Sequence, residues 1–275
     1  MKGTYFKDKV IIMTGASSGI GLASAKLFAS FGARLSLAAR SEDKLNALAS
    51  EIKSAYGTET LCVKTDVSKE DDCRNLIMRT VEKFGRIDIL VNNAGVSMRA
   101  LFRDLDLSVI RTLMDVNFWG TVYCTKFALP YLLESRGSVV GVISIAGFAG
   151  LPGRTGYSSS KYAIRGFLDT LRIEHLYDGL HVMIFAPGFT ASNVRNAALT
   201  ADGSRQGETP RDEGKMMTAE ECARHLARGL QKRKSEMILT PIGKLTVFMH
   251  NILPRLTDRL EFSYMAKEPG SPFHK

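Results

Sequence analysis

The sequence predicts a single doubly wound α/β domain, a seven-stranded parallel sheet with helices on both faces. Three observations carry that prediction. Seven apolar runs of strand length, at 10–13, 35–39, 60–63, 87–92, 138–144, 182–186 and 237–240, recur with helical segments between them, the alternation that builds a parallel sheet. The runs are apolar throughout rather than alternating, as in Val10-Ile11-Ile12-Met13, so both faces of each strand need cover. At 275 residues and 45% hydrophobic content the chain fills one large core, and α/β chains of this size commonly remain one domain.

Right-handed crossovers leave the C-terminal ends of such strands on one edge, and ligands bind there, where the strand order reverses. One polar, glycine-rich interruption, 200–215 (TADGSRQGETPRDEGK), separates the sixth strand from a helix expected near Thr218. It reads as part of a mobile substrate lid over 190–217 rather than as a linker between domains. Residues 242–275 form a C-terminal extension of the 1–275 domain.

Composition narrows the function classes. Cys62, Cys73, Cys124 and Cys222 are widely spaced, with no Cys-x-x-Cys pair and no His cluster beside them, which argues against a metal site or a disulfide framework and for a reduced, cytoplasmic setting. Residues 1–9 are polar, so no signal peptide is expected, and no run approaches the length that spans a bilayer. The net charge of +9 comes from 37 basic and 28 acidic residues. Residues 224–275 carry ten basic against four acidic side chains, two thirds of the excess. Basic surface of this kind most often serves solubility. The basic residues lack interleaved aromatics and a docking element, which excludes a nucleic-acid role.

Directly after the first strand stands Thr14-Gly15-Ala16-Ser17-Ser18-Gly19-Ile20-Gly21, followed by a helix-like stretch. Glycines let a backbone approach a pyrophosphate closely, and a helix N-terminus offers unpaired N–H groups and partial positive charge. Gly15, Ser17, Ser18, Gly19, Ile20 and Gly21 are therefore candidate dinucleotide contacts, in the strand-to-helix context that such a motif requires. An acidic residue ending the second strand would bind the ribose 2′-hydroxyl of NAD. This chain has Ala39, then Arg40 and Ser41. A guanidinium and a hydroxyl suit a 2′-phosphate, so NADP(H) is favoured over NAD(H). At the end of the third strand Asp66 is placed to accept the adenine amino group, and Val67 to cover the ring. Asn92-Asn93-Ala94-Gly95 closes the fourth strand. Its small residues admit the ribose and its asparagines tie neighbouring strands, with a structural and a ligand role for Asn92 equally open.

The reacting centre is sought at Ser144, which ends the fifth run, and at Tyr157-Ser158-Ser159-Ser160-Lys161 on the next helix. At i and i+4 the phenol and the ammonium share one helix face. A ketone that accepts a hydride develops alkoxide character and needs an acid within reach. Tyrosine's reference pKa of about 10 is high for that work. Lys161 and the oxidised nicotinamide favour the phenolate, and a lowering of about three units would take roughly 4 kcal/mol. Ser144 would steady the substrate oxygen.

Together these separated motifs make the chain, from residue 9 to about 240, resemble the short-chain dehydrogenase/reductase family. The resemblance implies a Rossmann-type sheet of order 3-2-1-4-5-6-7 and hydride transfer between a carbonyl and an alcohol. It implies catalytic roles for Ser144, Tyr157 and Lys161, and for Asn117 as holder of a water in a proton relay to the lysine. It further implies that Tyr157 and Lys161 border the cofactor, Lys161 on the nicotinamide ribose, and that Asn93, Ala94 and Gly95 line it. Pro187-Gly188-Phe189-Thr190-Ala191-Ser192 resembles the segment that contacts the carboxamide, through Pro187, Gly188, Thr190 and Ser192. It departs from the pattern where Thr190 replaces an aliphatic residue and Ser192 a threonine. The helices around 106–133 and 156–177 imply a homodimer or homotetramer.

Ala146, Phe148, Leu151 and Phe189 are candidates for an apolar substrate floor. They suit a lipophilic 3-oxoacyl, sphingoid or steroid-like ketone, or else belong to the core. The apolar stretch 242–249, with Arg255 and Arg259 beyond it, reads as a helix covering the core or lying at a subunit interface. The alternative is an interfacial helix in peripheral contact with a membrane. Two competing functions are a nucleotide-binding regulator or scaffold without turnover, which has no need of the serine, tyrosine and lysine set, and a sugar epimerase, which usually needs a larger C-terminal region.

Overall fold

Strands form where β-branched and aliphatic side chains run uninterrupted, and all seven expected runs contribute one. A computed structural model describes residues 3–190, 196–207, 214, 216–267 and 270–273. The strands are β1 Val10–Thr14, β2 Arg34–Ala39, β3 Thr60–Lys64, β4 Ile89–Asn92, β5 Ser138–Val142, β6 His181–Ala186 and β7 Glu236–Ile238. They pair in parallel throughout, in the order β3-β2-β1-β4-β5-β6-β7, as the sequence led one to expect. The order reverses between β1 and β4, where Met13 pairs with Val91. β5 is shorter than its apolar run because the chain leaves the sheet after Val142, and Ser144 then caps a 3-10 turn at Ile145–Gly147.

Nine α-helices surround the sheet among the described residues: α1 Gly19–Ser30, α2 Glu42–Tyr56, α3 Glu70–Phe84, α4 Leu107–Leu113, α5 Gly120–Glu134, α6 Thr155–Glu174, α7 Ala219–Gln231, α8 Pro241–Ile252 and α9 Pro254–Ala266. Their ends follow local chemistry. α2 opens on Glu42 and Asp43 and α3 on Glu70, Asp71 and Asp72, where carboxylates meet the positive end of the helix dipole. A reciprocal capping box between Thr218 and Glu221 starts α7. α4 runs through a π-helical turn at Met114–Trp119 into α5.

Alternation along each strand separates two cores. Ile11, Met13, Leu35 and Leu37 pack with Phe28, Leu45, Ile52 and Leu226 of α1, α2 and α7 on one face. Ile12, Leu90, Val139 and Ile184 pack with Leu76, Cys124, Leu132 and Leu168 of α3, α5 and α6 on the other. Both sheet faces are dry, which is why the strands read as continuous apolar runs.

Buried Asp88 pins the edge of the sheet opposite the ligand side. Its Oδ2 accepts from the Val10 amide at 2.9 Å and from Arg86 Nε at 3.0 Å, and its Oδ1 accepts from Arg86 Nη2 at 2.6 Å. The fork holds the start of β1 against the chain entering β4. Truncation would leave the Val10 N–H buried without an acceptor, so Asp88→Ala should cost about 2–3 kcal/mol. Urea unfolding of both proteins checks this, and an unchanged midpoint would contradict it.

Candidate active site

At the reversal point the turn after β1 and the turn after β4 are fastened to each other. Thr14 Oγ1 accepts from the amides of Asn93 and Ala94, both at 3.0 Å, and Asn93 Nδ2 donates to the Thr14 carbonyl at 2.9 Å. Gly15 lies at φ +67°, and a Cβ there would stand 2.9 Å from the Ala94 Cα. At Gly21 a Cβ would come within 2.3 Å of the Gly15 carbonyl oxygen. No side chain longer than hydrogen fits either position. Ser18, at the N-cap of α1, makes no side-chain capping bond, so the amides that open α1 keep their capacity for an anion. Asn93 lends its amide to this turn, whereas Ala94 and exposed Gly95 line the crevice.

The adenosine end extends from β2 and β3. Arg40 is exposed directly after β2 and makes no ion pair among the described residues, and Ser41 starts α2 without a side-chain capping bond. Asp66 Oδ1 accepts from the Ser68 amide at 3.1 Å and its hydroxyl at 2.7 Å, while Oδ2 accepts no bond among the described residues. Val67 is buried against Gly120, where a Cβ would clash with it at 2.8 Å. Asn92 donates to Thr125 Oγ1 at 3.0 Å; of its two open roles it fills the structural one, tying β4 to α5. On the far side of the crevice, Pro187 is buried and Gly188 packs against Thr240. Thr190 is buried and its hydroxyl donates to the Gly188 carbonyl at 3.2 Å. This narrows the expected Thr190 contact to its backbone. Ser192 lies outside the described residues, as does much of the expected lid.

Ser144, Tyr157, Lys161 and Asn117 converge at the C-terminal ends of β4 and β5. Buried Lys161 donates from Nζ to the Val142 carbonyl at 3.0 Å and lies 5.7 Å from the centroid of the Tyr157 ring. Ser144 Oγ accepts from the Ala146 amide at 3.2 Å, and the Ser144 side chain favours the phenolate of nearby Tyr157. Asn117 sits in the π turn, a distortion that recurs at functional sites. Its Oδ1 accepts from the Val96 amide at 2.8 Å, and its Nδ2 donates to the Val96 carbonyl at 3.0 Å and to Ser160 Oγ at 2.9 Å. Both amide hydrogens are thus spent on protein groups. The asparagine is first an anchor for the β4 turn and α6, with acceptor lone pairs left for a water.

Electrostatics in the protein alone differ from the sequence expectation for Tyr157. Burial pushes its phenol up, and the Ser144 hydroxyl and the Arg154 guanidinium pull it back only in part. Burial drives the Lys161 ammonium down as well, to about 8, while its Nζ donates to the Val142 carbonyl.

Sequence reasoning missed three supports. Thr14 was visible as part of the glycine motif but not as its fastener. Ser160 precedes Lys161 and was hidden by the serine run. Arg154, whose Nη1 donates to the Met98 carbonyl, lies one turn before Tyr157 with no pattern to mark it. Of the two readings open for the apolar residues near Ser144, floor or core, the structure favours core for two of them. Ala146 and Phe148 are core, with Phe148 beneath the Arg165 guanidinium at 4.1 Å, while Leu151 faces the outer side of α6 with Ser159 and Tyr162. Phe189 alone of the four is exposed beside the crevice. The apolar surface that packs with Tyr157 is a separate cluster of Met98, Leu113, Leu199 and Ala201, in which Met98 bridges Leu199.

The value for Lys161 fixes a pH dependence of stability. Its folded pKa of about 8 lies below the ordinary 10.5, so between those values the unfolded chain binds the proton more tightly and stability rises with pH. Lys161→Met removes that titration. The wild type should gain up to about 3 kcal/mol on the variant across this window. Parallel urea curves at each pH check it, and a constant difference would contradict the buried ammonium.

Comparison with known proteins agrees with this arrangement. The family model described as short chain dehydrogenase matches residues 9–202. A "Dehydrogenase/reductase SDR family protein 7-like" of Dictyostelium discoideum is 35% identical over 265 residues, covering 94% of this chain and 82% of the relative. An "11-beta-hydroxysteroid dehydrogenase-like 4A" of Arabidopsis thaliana is 35% identical over 249 residues, covering 90% and 82%. Among solved structures, an alcohol dehydrogenase from the archaeon Thermococcus sibiricus, complexed with 5-hydroxy-NADP, superposes with a TM-score of 0.75 at 27% identity, covering 85% of this chain and 96% of that one. A short chain dehydrogenase/reductase from Burkholderia phymatum in complex with NAD shares the fold, with a TM-score of 0.81 at 22% identity over 98% and 99% of the chains. The glycine turn at the strand reversal, the converging serine, tyrosine and lysine, and the matched span together place this chain in the short-chain dehydrogenase/reductase family of oxidoreductases.

Proposed function

We propose that the protein is an NADP(H)-dependent oxidoreductase acting on a lipophilic carbonyl or secondary alcohol, with Tyr157 as its acid/base. The observation that carries this reading is the convergence of Ser144, Tyr157 and Lys161 beside a glycine turn that admits no side chain.

The residues present fit a dinucleotide. Gly15 and Gly21 keep the backbone low and the α1 amides are open to an anion; among the described residues Asp66 keeps one acceptor oxygen free and Arg40 makes no ion pair, where an acidic residue would oppose a 2′-phosphate. The nearest carboxylates after β2, Glu42 and Asp43, belong to the first turn of α2. The T. sibiricus relative, described with an NADP derivative, supports the same preference. When bound, the nicotinamide supplies or takes the hydride.

The protein's own groups manage the proton. Ser144 orients the reacting oxygen toward the phenol, and Tyr157 donates to that oxygen as it gains charge during reduction, or accepts from it during oxidation. Lys161, close beneath the ring, stabilises the phenolate left behind and is placed to reach the nicotinamide ribose. Asn117 holds Val96 and Ser160 in register around the lysine. The apolar cluster into which Tyr157 and Leu199 pack, with exposed Phe189 at the opening, suits an apolar ketone. The Arabidopsis relative's name, a hydroxysteroid dehydrogenase-like protein, points the same way. Exposed Trp119 and Tyr162 on the π turn and α6 support a homo-oligomer formed through these helices.

Tyr157→Phe should retain NADPH binding and lose roughly 10²–10⁴-fold in turnover on a panel of steroid, 3-oxoacyl and sphingoid ketones followed by NADPH absorbance. Full activity of that variant would overturn the mechanism, and a silent wild type that binds NADPH tightly would favour a binder without turnover. Arg40→Ala should weaken NADPH about tenfold or more and leave NADH unchanged in fluorescence titrations. Equal losses for both would refute the NADP preference.

A further inference from the structure

The sequence left the stretch 242–249 as a helix covering the core, lying at a subunit interface or touching a membrane, and in the structure the apolar residues of α8 and α9 largely face outward. Ile242, Leu245, Phe248 and Ile252 of α8, Leu253 at the junction, and Leu256, Leu260 and Tyr264 of α9 are each between 44% and 76% exposed. Only Gly243, Val247, Thr257 and Met265 turn in. At about 100° per residue, the four α8 residues fall within one arc of about 120°, and Leu253, Leu256, Leu260 and Tyr264 within about 80°. Each helix therefore presents a continuous apolar stripe to solvent, and the two helices pack on each other.

Charge is distributed to match. Lys244 flanks the α8 stripe, Arg255 and Arg259 lie along one flank of the α9 stripe, and Lys267 stands in line with that stripe at its end. Asp258 and half-buried Glu261 lie on the opposite flank. An apolar stripe bordered by cations is the pattern of a helix lying in the headgroup region of an anionic membrane. No helix among the described residues is long and apolar enough to cross a bilayer, so contact would come from one leaflet.

The hairpin is also rooted at the reacting centre. A Cβ at Gly243 would stand 2.7 Å from Ile145 Cδ1, beside Ser144. The Tyr264 ring lies 6.5 Å from that of Phe189 at the opening of the crevice. The exposed stripe of α9 thus runs into the mouth of the site.

We propose that the α8–α9 hairpin docks on an anionic phospholipid surface and turns the mouth of the crevice toward the lipid. Docking stands on the hairpin alone; delivery of substrate from the bilayer rests in addition on the lipophilic-substrate reading above. The face is distinct from the Trp119 and Tyr162 surface assigned to the oligomer.

Co-sedimentation of the full chain with phosphatidylcholine vesicles, with and without phosphatidylserine, tests the docking without any substrate, so its failure is separable from failure of the proposed chemistry. The protein should bind the anionic vesicles and release at high salt. The double variant Leu245→Glu/Leu260→Glu should bind at least about tenfold more weakly, with unchanged circular dichroism and particle mass. If that variant unfolds, Arg255→Gln/Arg259→Gln, at exposed polar positions, should still weaken binding about fivefold or more. Absence of wild-type binding, or binding unchanged in a folded variant, would overturn the proposal. So would a halved particle mass in light scattering, which would make the face a contact between copies of this chain.

Discussion

The Thr14 hydroxyl, which accepts the amides of Asn93 and Ala94, is the contact on which the crevice depends. A parallel sheet gives no connection between the loops that leave adjacent strands at their C-terminal ends, and at the reversal point those loops diverge to opposite faces. Without a bond across the gap, the glycine turn and the segment after β4 would move independently. Asn93 closes the circuit from the other side by donating to the Thr14 carbonyl. Val96, three residues beyond Asn93, then clasps Asn117, and Asn117 clasps Ser160 next to Lys161. The glycine turn and Lys161 are thus joined by hydrogen bonds alternating with short stretches of backbone.

Burial sets the chemical state of the pair at the end of that chain. Tyr157 and Lys161 are both pushed toward neutrality by the dry site, the phenol upward and the ammonium downward. A neutral pair is what a low-dielectric cavity prefers when no further charge is present. Proton exchange asks for the opposite polarity, phenolate beside ammonium, which the protein groups alone do not favour. The sequence pattern speaks only for the shared helix face of Tyr157 and Lys161.

The architecture was legible because the central strands are buried on both faces and so leave uninterrupted apolar runs, with helical segments between them. The positions of Gly15, Gly21, Ser144, Tyr157 and Lys161 were legible because their chemistry fixes both residue type and spacing. Arg154 was not, since a guanidinium bonded to the Met98 carbonyl leaves no periodic trace. For Phe148 and Ala146 the sequence left floor and core open, because apolarity alone does not tell which side of a loop faces a cleft. The direction of the α8 stripe was left open for a related reason. A helical apolar period states that a face seeks cover without stating that the same chain provides it.

The π turn at Met114–Trp119 sets the phase between the two halves of the rod that joins α4 to α5. A π turn holds one residue more than an α turn, so the surplus is absorbed without rotating either flank. Winding the same residues as a regular α-helix would turn everything on one side by about 100° relative to the other. Asn117 would then swing away from Val96 and Ser160, or Gly120 would no longer meet Val67. A substitution here costs one contact, whereas loss of the wide turn at constant length changes the phase of the whole helix.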